Sequence, residues 1–393
     1  MNAFARAITV EQLDDDPYPV YAHLRREAPV CFVPAVGLWF VTRYDDVKYA
    51  AQQPGEFAAK PIPSPVDRTF GADNVLTLDG APQRALRAAL DPLFRPRIVR
   101  DYALPLIEPL VEEHLERMVA KGRAELMADY CEPISVLALG RVLGIGEFGG
   151  DVLRRWFADL AQGATNFEDD PAKQAIGDAA SREIDEQLAP VFARLLAEPD
   201  GSTIANMLAA VEGTLAERTA QIMPTLKVVL LGGMQEPGHA VGSTVYGLLS
   251  NPAQTAALAA DPGLVESAVE EGLRWISPIG TQTRRVARDT ELAGVALPAG
   301  ANVGLLVSSA NRDERVFGPT AEEFDLARAV TGNAVFGFGP HFCSGHAFSR
   351  ILMQLALRRL FERLPDLRLD PHDPPRLRGW EFRAPARLPV VWG

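Results

Sequence analysis

Long stretches of the chain carry apolar residues every three to four positions, and shorter ones alternate apolar with polar residues one by one. The first pattern puts apolar side chains on one face of a helix; the second describes a half-buried strand. Asp16-Pro17-Tyr18-Pro19 opens a short helix through Arg26. Pro29 to Thr42 alternates around Gly37 and predicts a hairpin. Residues 60–75 are rich in Pro, Gly and Asp and predict a loop. From Pro82 onward the pattern is mainly helical, with spacing near 3.6 over Leu104–Val119, Ile134–Leu143, Val152–Gln162 and Ile184–Leu196. Met223 to Leu249 predicts one long helix, and Leu264 to Trp275 another. Strand patterns follow at Thr283–Ala287, Val295–Leu297 and Asn302–Val307. Then come an irregular polar stretch, a glycine-rich loop, a helix from Gly345 to Leu364 and a final strand from Phe382 to Trp392. The chain therefore reads as mainly α with small β-sheets, β-rich at about 30–60 and 283–310, without internal repeats.

Composition narrows the function. The 393 residues are 47% hydrophobic, enough for a large core, and no long linker interrupts the pattern, so one domain is expected. A net charge of −12 argues against nucleic acid and anionic membranes as partners. Three cysteines, Cys31, Cys131 and Cys343, lie far apart, which predicts a reducing compartment and no disulfide framework. The polar, acidic start from Met1 to Asp16 has no apolar signal segment, and no run approaches the roughly 18 apolar residues that cross a bilayer. A cytoplasmic protein is expected.

The chemistry concentrates at Phe336-Gly337-Phe338-Gly339-Pro340-His341-Phe342-Cys343-Ser344-Gly345. Glycines let backbone approach something flat and large. The sulfur stands at a helix start, where amide N–H groups favour a thiolate. One thiolate without a second cysteine nearby suits haem iron better than zinc or an iron–sulfur cluster. The bland alternative, a glycine-rich turn with a buried thiol, needs ten positions to coincide.

This decapeptide resembles the haem-binding loop of the cytochrome P450 family, Phe-Gly-x-Gly-x-His-x-Cys-x-Gly, at every fixed position. The resemblance extends from Asp16-Pro17-Tyr18-Pro19 to the last strand. It implies a single P450 domain over residues 1–393, with haem b between the long central helix and the cysteine-loop helix. It also implies that Cys343 ligates the iron and that Phe336, Gly337, Gly339 and Gly345 form the loop around the cofactor.

Two further segments gain meaning from the resemblance. Glu271 and Arg274 share a helical face, and a surface ion pair is the ordinary reading of that spacing. The family has a Glu-x-x-Arg helix there, whose pair locks to an upstream arginine; Arg328 is the candidate. Haem also brings two propionates, which need cationic or donor partners. The resemblance implies Arg87, Arg285 and His341 in that role, with Gln83 where the family often has His.

The central helix departs from the family. Its pattern there is Ala/Gly-Gly-x-Asp/Glu-Thr, whereas this chain reads Gly232-Gly233-Met234-Gln235-Glu236-Pro237-Gly238-His239. Gln235 occupies the acid position and Glu236 the threonine position, so the hydroxyl that helps guide protons is missing in either register. Pro237 predicts a kink, and Gly238 adds flexibility. A glutamate close to the iron suits general acid–base work on hydrogen peroxide, which already carries the needed protons and electrons. Two readings of Glu236 stand: a peroxide-handling acid–base, or a residue turned away into a salt bridge. His239 is either a distal ligand or proton donor or, the ordinary reading, faces a neighbouring helix.

By the same resemblance Pro61, Ile62, Phe70, Val229, Pro278 and Ile279 surround a mainly hydrophobic organic substrate, while Arg68 and Gln282 either read a polar group on it or, the ordinary reading, face solvent. Arg95, Arg97, Arg100, Arg350, Arg358 and Arg359 form either a docking patch for an acidic ferredoxin-type partner or ordinary surface scatter. The expected function is a monooxygenase or peroxygenase. The alternative is a non-oxygenase haem protein that has lost normal proton delivery.

Overall fold

The computed structural model describes residues 3–71, 73–328 and 332–393. Residue 72 of the expected loop and residues 329–331 of the irregular stretch lie outside them. The described chain is mainly helical, with four small sheets and a large core built mostly from helices.

The largest sheet has five strands in the order Val30–Val33, Leu38–Val41, Asn302–Leu306, Thr281–Val286 and Phe57–Ala58. The first two are the expected hairpin, turned at Gly37, whose φ of +66° suits glycine. Leu38–Val41 pairs parallel with Asn302–Leu306; the other pairings are antiparallel. The final strand expected over Phe382–Trp392 forms as two, Ala384–Arg387 and Pro389–Val391, and further short strands at Arg123–Glu125, Arg368–Leu369 and Arg376–Arg378 lie outside the strands expected from sequence.

Two expectations need correction. The segment 60–75 is not all loop, because Pro65–Phe70 is a helix. Ser64 caps it, its hydroxyl accepting from the Asp67 N–H at 3.1 Å, and proline is tolerated in the first turn, where its missing N–H has no helical partner. The long central helix is two helices, Leu215–Gly233 and Glu236–Leu249. A capping box between Thr214 and Glu217 starts the first. Pro237 cannot donate to the carbonyl of Gly233, so the break falls at Met234–Gln235, just before the expected kink, and proline becomes a first-turn residue. The Ser135 hydroxyl takes up the freed Met234 carbonyl at 2.6 Å.

Gly238 serves close packing rather than flexibility. A Cβ there would lie 2.5 Å from the Cys131 carbonyl oxygen. The Glu236–Leu249 helix can therefore press against the turn Met127–Cys131. It also packs on Val265–Trp275 and on His346–Arg363, which fixes Glu236 relative to the cysteine loop.

Candidate active site

Cys343 precedes the helix His346–Arg363 by three residues. Its own N–H donates to the Phe336 carbonyl at 2.9 Å, closing the loop on itself. Gly337 and Gly339 adopt φ of +71° and +68°, where a side chain would be strained. A Cβ on Gly339 would also meet the Ala51 carbonyl oxygen at 2.9 Å, so the loop needs glycine to lie on the helix Tyr44–Gln52.

The loop is held from behind. Arg274 donates twice to Glu271, at 2.7 Å each, and Arg328 donates to the same carboxylate at 3.2 Å. These are the three residues expected to form the triad. Arg274 also donates to the carbonyls of Asn311, Ala321 and Glu323. Asn311 Oδ1 in turn accepts from the Ala334 N–H at 2.6 Å, just upstream of Phe336. The buried charges are thus mutually satisfied, and their order is passed to the loop.

Cys343 opens onto a cavity of about 330 Å³. Apolar residues make most of its wall, among them Phe70, Leu231, Val335, Phe336, Phe348 and Met353. Pro61, Val229, Pro278 and Ile279 line it as expected, whereas Ile62 is more than half exposed and does not. Gln282 lines it instead of facing solvent, and Arg68 is bound outside to Asp169 at 2.5 Å.

The residues expected at the propionates divide into two groups. His341 lines the cavity, and its Nε2 is hydrogen-bonded to Asp79 at 2.9 Å. Arg285 does not line it; the neighbouring Arg284 does, and it is buried. Thr281, Gln282, Thr283 and Arg284 all line the cavity, and its wall ends before Arg285. Burial holds the Arg284 guanidinium down near a pKa of about 10, with Asp79 opposing the shift. Gln83 and Arg87 bind the loop itself rather than lining the cavity. Gln83 donates to the Pro340 carbonyl and Arg87 to the Phe342 carbonyl, each at 2.8 Å. Arg87 also binds Asp91 at 2.8 Å, and the other oxygen of Asp91 accepts from the Ser344 hydroxyl at 2.7 Å.

Glu236 lines the cavity with Cys343. Burial is what raises the Cys343 thiol pKa, with a smaller push from the charge of Glu236, while the Gly345 N–H, Arg87 and Arg350 oppose the rise. Neither oxygen of Glu236 has a hydrogen-bond partner, and the carboxyl makes no salt bridge among the described residues. Burial pushes its pKa up to about 8, against a weak opposing pull from the N–H groups of Gln235 and Glu236. Gln235 is buried at the helix break but does not line the cavity, contrary to its expected place beside Glu236. His239 packs edge-on to Phe157 and lies 3.6 Å from Glu132, facing neighbouring helices as expected.

Sequence reasoning missed Arg284, Asp79 and a second cavity carboxyl, Glu381. Only Arg284 had a signal, the doubled arginine on a strand.

Of the six arginines considered for docking, Arg350 binds Glu270, and Arg359 binds Glu108, Glu112 and Glu362. Arg95, Arg97, Arg100 and Arg358 are exposed and form no ion pair among the described residues. No helix among those residues is long and apolar enough to cross a membrane.

The donors fit a flat, apolar, dianionic macrocycle. One buried thiol lies beside glycines, and Arg284 and His341 stand at the same cavity; no cluster of three His, Cys, Asp or Glu could hold a bare metal ion among the described residues. The family model described as cytochrome P450 matches residues 257–378. Cytochrome P450 107B1 of Saccharopolyspora erythraea is 32% identical over 95% of each chain. A steroid C26-monooxygenase of Mycolicibacterium smegmatis is 32% identical over 95% of this chain and 92% of its own. The structure of P450BioI with a ligated acyl carrier protein aligns with a TM-score of 0.89 and 26% identity, over 98% of this chain and 100% of that one. The chain belongs to the cytochrome P450 family, whose cofactor is haem iron. Its mainly helical single-domain fold is that family's fold.

Proposed function

We propose that this protein inserts one oxygen atom into a mainly hydrophobic organic substrate, by hydroxylation or oxidative dealkylation, and that Glu236 lets it use hydrogen peroxide. Haem, when bound, supplies the oxygen-activating chemistry. Cys343 would be its thiolate ligand, with Arg284 and His341 at the propionates and Phe336 and Gly345 at its apolar surface. Gln83, Arg87, Gly337 and Gly339 would hold the loop that presents the sulfur. The apolar wall binds and orients substrate and limits water.

The observation that carries the peroxide reading is the unpartnered carboxyl of Glu236 in the cavity of Cys343. As carboxylate it accepts a proton from one oxygen of hydrogen peroxide; as acid it returns that proton to the departing oxygen, which leaves as water. A pKa near 8 suits both halves at neutral pH. The test is Glu236→Gln, assayed for dealkylation of an alkoxycoumarin with peroxide. We expect peroxide turnover to fall about a hundredfold, with the carbonyl-bound absorption of the reduced protein unchanged. Unchanged turnover removes the role. The exposed Arg95, Arg97, Arg100 and Arg358 support docking of an acidic ferredoxin-type protein as a second electron source.

The lack of any hydroxyl at Gln235-Glu236-Pro237 favours a second reading, a haem protein of the same fold that binds or presents a ligand without oxygenating it. A normal thiolate spectrum with no product from either peroxide or ferredoxin would select it.

A further inference from the structure

The cavity contains a second carboxyl besides Glu236. Glu381 lines it next to Phe382, where a turn of the C-terminal region meets the segment Pro278–Gly280. Backbone bonds fix this turn. The Gly280 N–H donates to the Glu381 carbonyl at 2.8 Å, and the Arg383 N–H donates to the Pro278 carbonyl at 3.0 Å. A Cβ on Gly280 would lie 1.9 Å from the Trp380 carbonyl oxygen, so the two segments meet only because glycine is there.

The Glu381 side chain makes no hydrogen bond or ion pair among the described residues, and its Oε1 is fully enclosed. No cation pairs with Glu381 among the described residues. Asp14 and Glu168 add negative charge. Arg383 donates to the carbonyls of Asp14, Asp15 and Gly379 and keeps its buried Nε without a partner, and Lys173 is held by Glu168. The Tyr21 hydroxyl, also buried without a partner, completes the surroundings. The cavity's two basic residues, Arg284 and His341, stand instead with Asp79.

We infer that Glu381 reads the substrate's charge, pairing with a cationic amino group carried by an otherwise apolar molecule. This deepens the oxygenase reading and rests on it for the word substrate. A partly buried carboxyl with one oxygen enclosed and no partner is costly, and a cationic ligand removes that cost by making it a paired anion. A carboxylate-bearing ligand would meet repulsion from Asp14 and Glu168. Burial pushes the Glu381 pKa up to about 8, so cation binding expels a proton at neutral pH and strengthens as pH rises through that value.

Isothermal titration of the holoprotein tests the idea with dodecyltrimethylammonium, 1-dodecanol and dodecanoate; the quaternary nitrogen has no lone pair for iron. At pH 8.5 we expect the cation to bind about tenfold more tightly than the alcohol, and dodecanoate most weakly. The cation's affinity should rise from pH 7 to pH 9. Glu381→Gln should erase both the preference and the pH dependence, while Glu236→Gln keeps the preference. A preference that survives Glu381→Gln overturns the inference. So does one lost only in Glu236→Gln, or no binding of the cation. Calorimetry needs no oxidant, so failed turnover with peroxide leaves this result standing, and a lost cation preference leaves the oxygenase reading standing.

Discussion

Glu271 and Arg274 meet through two hydrogen bonds of 2.7 Å, with neither side chain exposed to solvent. Removing either partner leaves a buried charge uncompensated, at a cost of about 3–5 kcal/mol. Arg274→Ala should lose that much in denaturant unfolding. Arg274→Lys should recover little, because an ammonium cannot reproduce the paired geometry. Near-normal stability in either variant would show that the triad does not hold the loop.

Between those two residues, Gly272 lies against the neighbouring helix. A Cβ there would stand 1.9 Å from Thr244 Oγ1. Gly272→Ala should cost about 1–3 kcal/mol by overpacking, despite alanine's better helix propensity. A thermal midpoint equal to or above the parent's would contradict this contact.

Arg284 and Arg285 make a matched pair for testing which of them meets the cofactor. Arg284→Ala should speed haem transfer to a haem-free globin about tenfold, and Arg285→Ala should change it less than about twofold. Asp79→Asn, which weakens the support of His341, should fall between them. The reverse order would restore the assignment read from sequence.

The two raised carboxyls make stability depend on pH. Glu236 and Glu381 move from the ordinary 4.5 to about 8 in the folded protein, so between those values the folded state keeps protons that the unfolded state has lost. Their contribution is fully present below about pH 4.5, falls as pH rises, and is gone above about pH 8. The loss is on the order of 3–5 kcal/mol for each group. Urea midpoints should fall more steeply from pH 5.5 to 9 in the parent than in a Glu236→Gln, Glu381→Gln double variant. Parallel curves would show that neither carboxyl is dry.

What was legible in the sequence was whatever local spacing determines. The cysteine-loop helix, expected over Gly345–Leu364, forms over His346–Arg363, and the Glu271–Arg274–Arg328 contacts form among the expected residues. Arg284 and Arg285 were not separable, because two adjacent arginines look alike to a sequence pattern, and the cavity wall ends between them. The Pro65–Phe70 helix did have a cap signal at Ser64, but Pro, Gly and Asp around it masked the pattern. Glu381 had no local signal at all. Its position comes from hydrogen bonds to residues about a hundred positions earlier in the chain.

The break at Met234–Gln235 puts Glu236 in the opening turn of a helix, where backbone N–H groups favour a negative charge, while the greasy wall around it favours a neutral one. A guest that dries the chamber would therefore favour the neutral acid, and entering water the carboxylate.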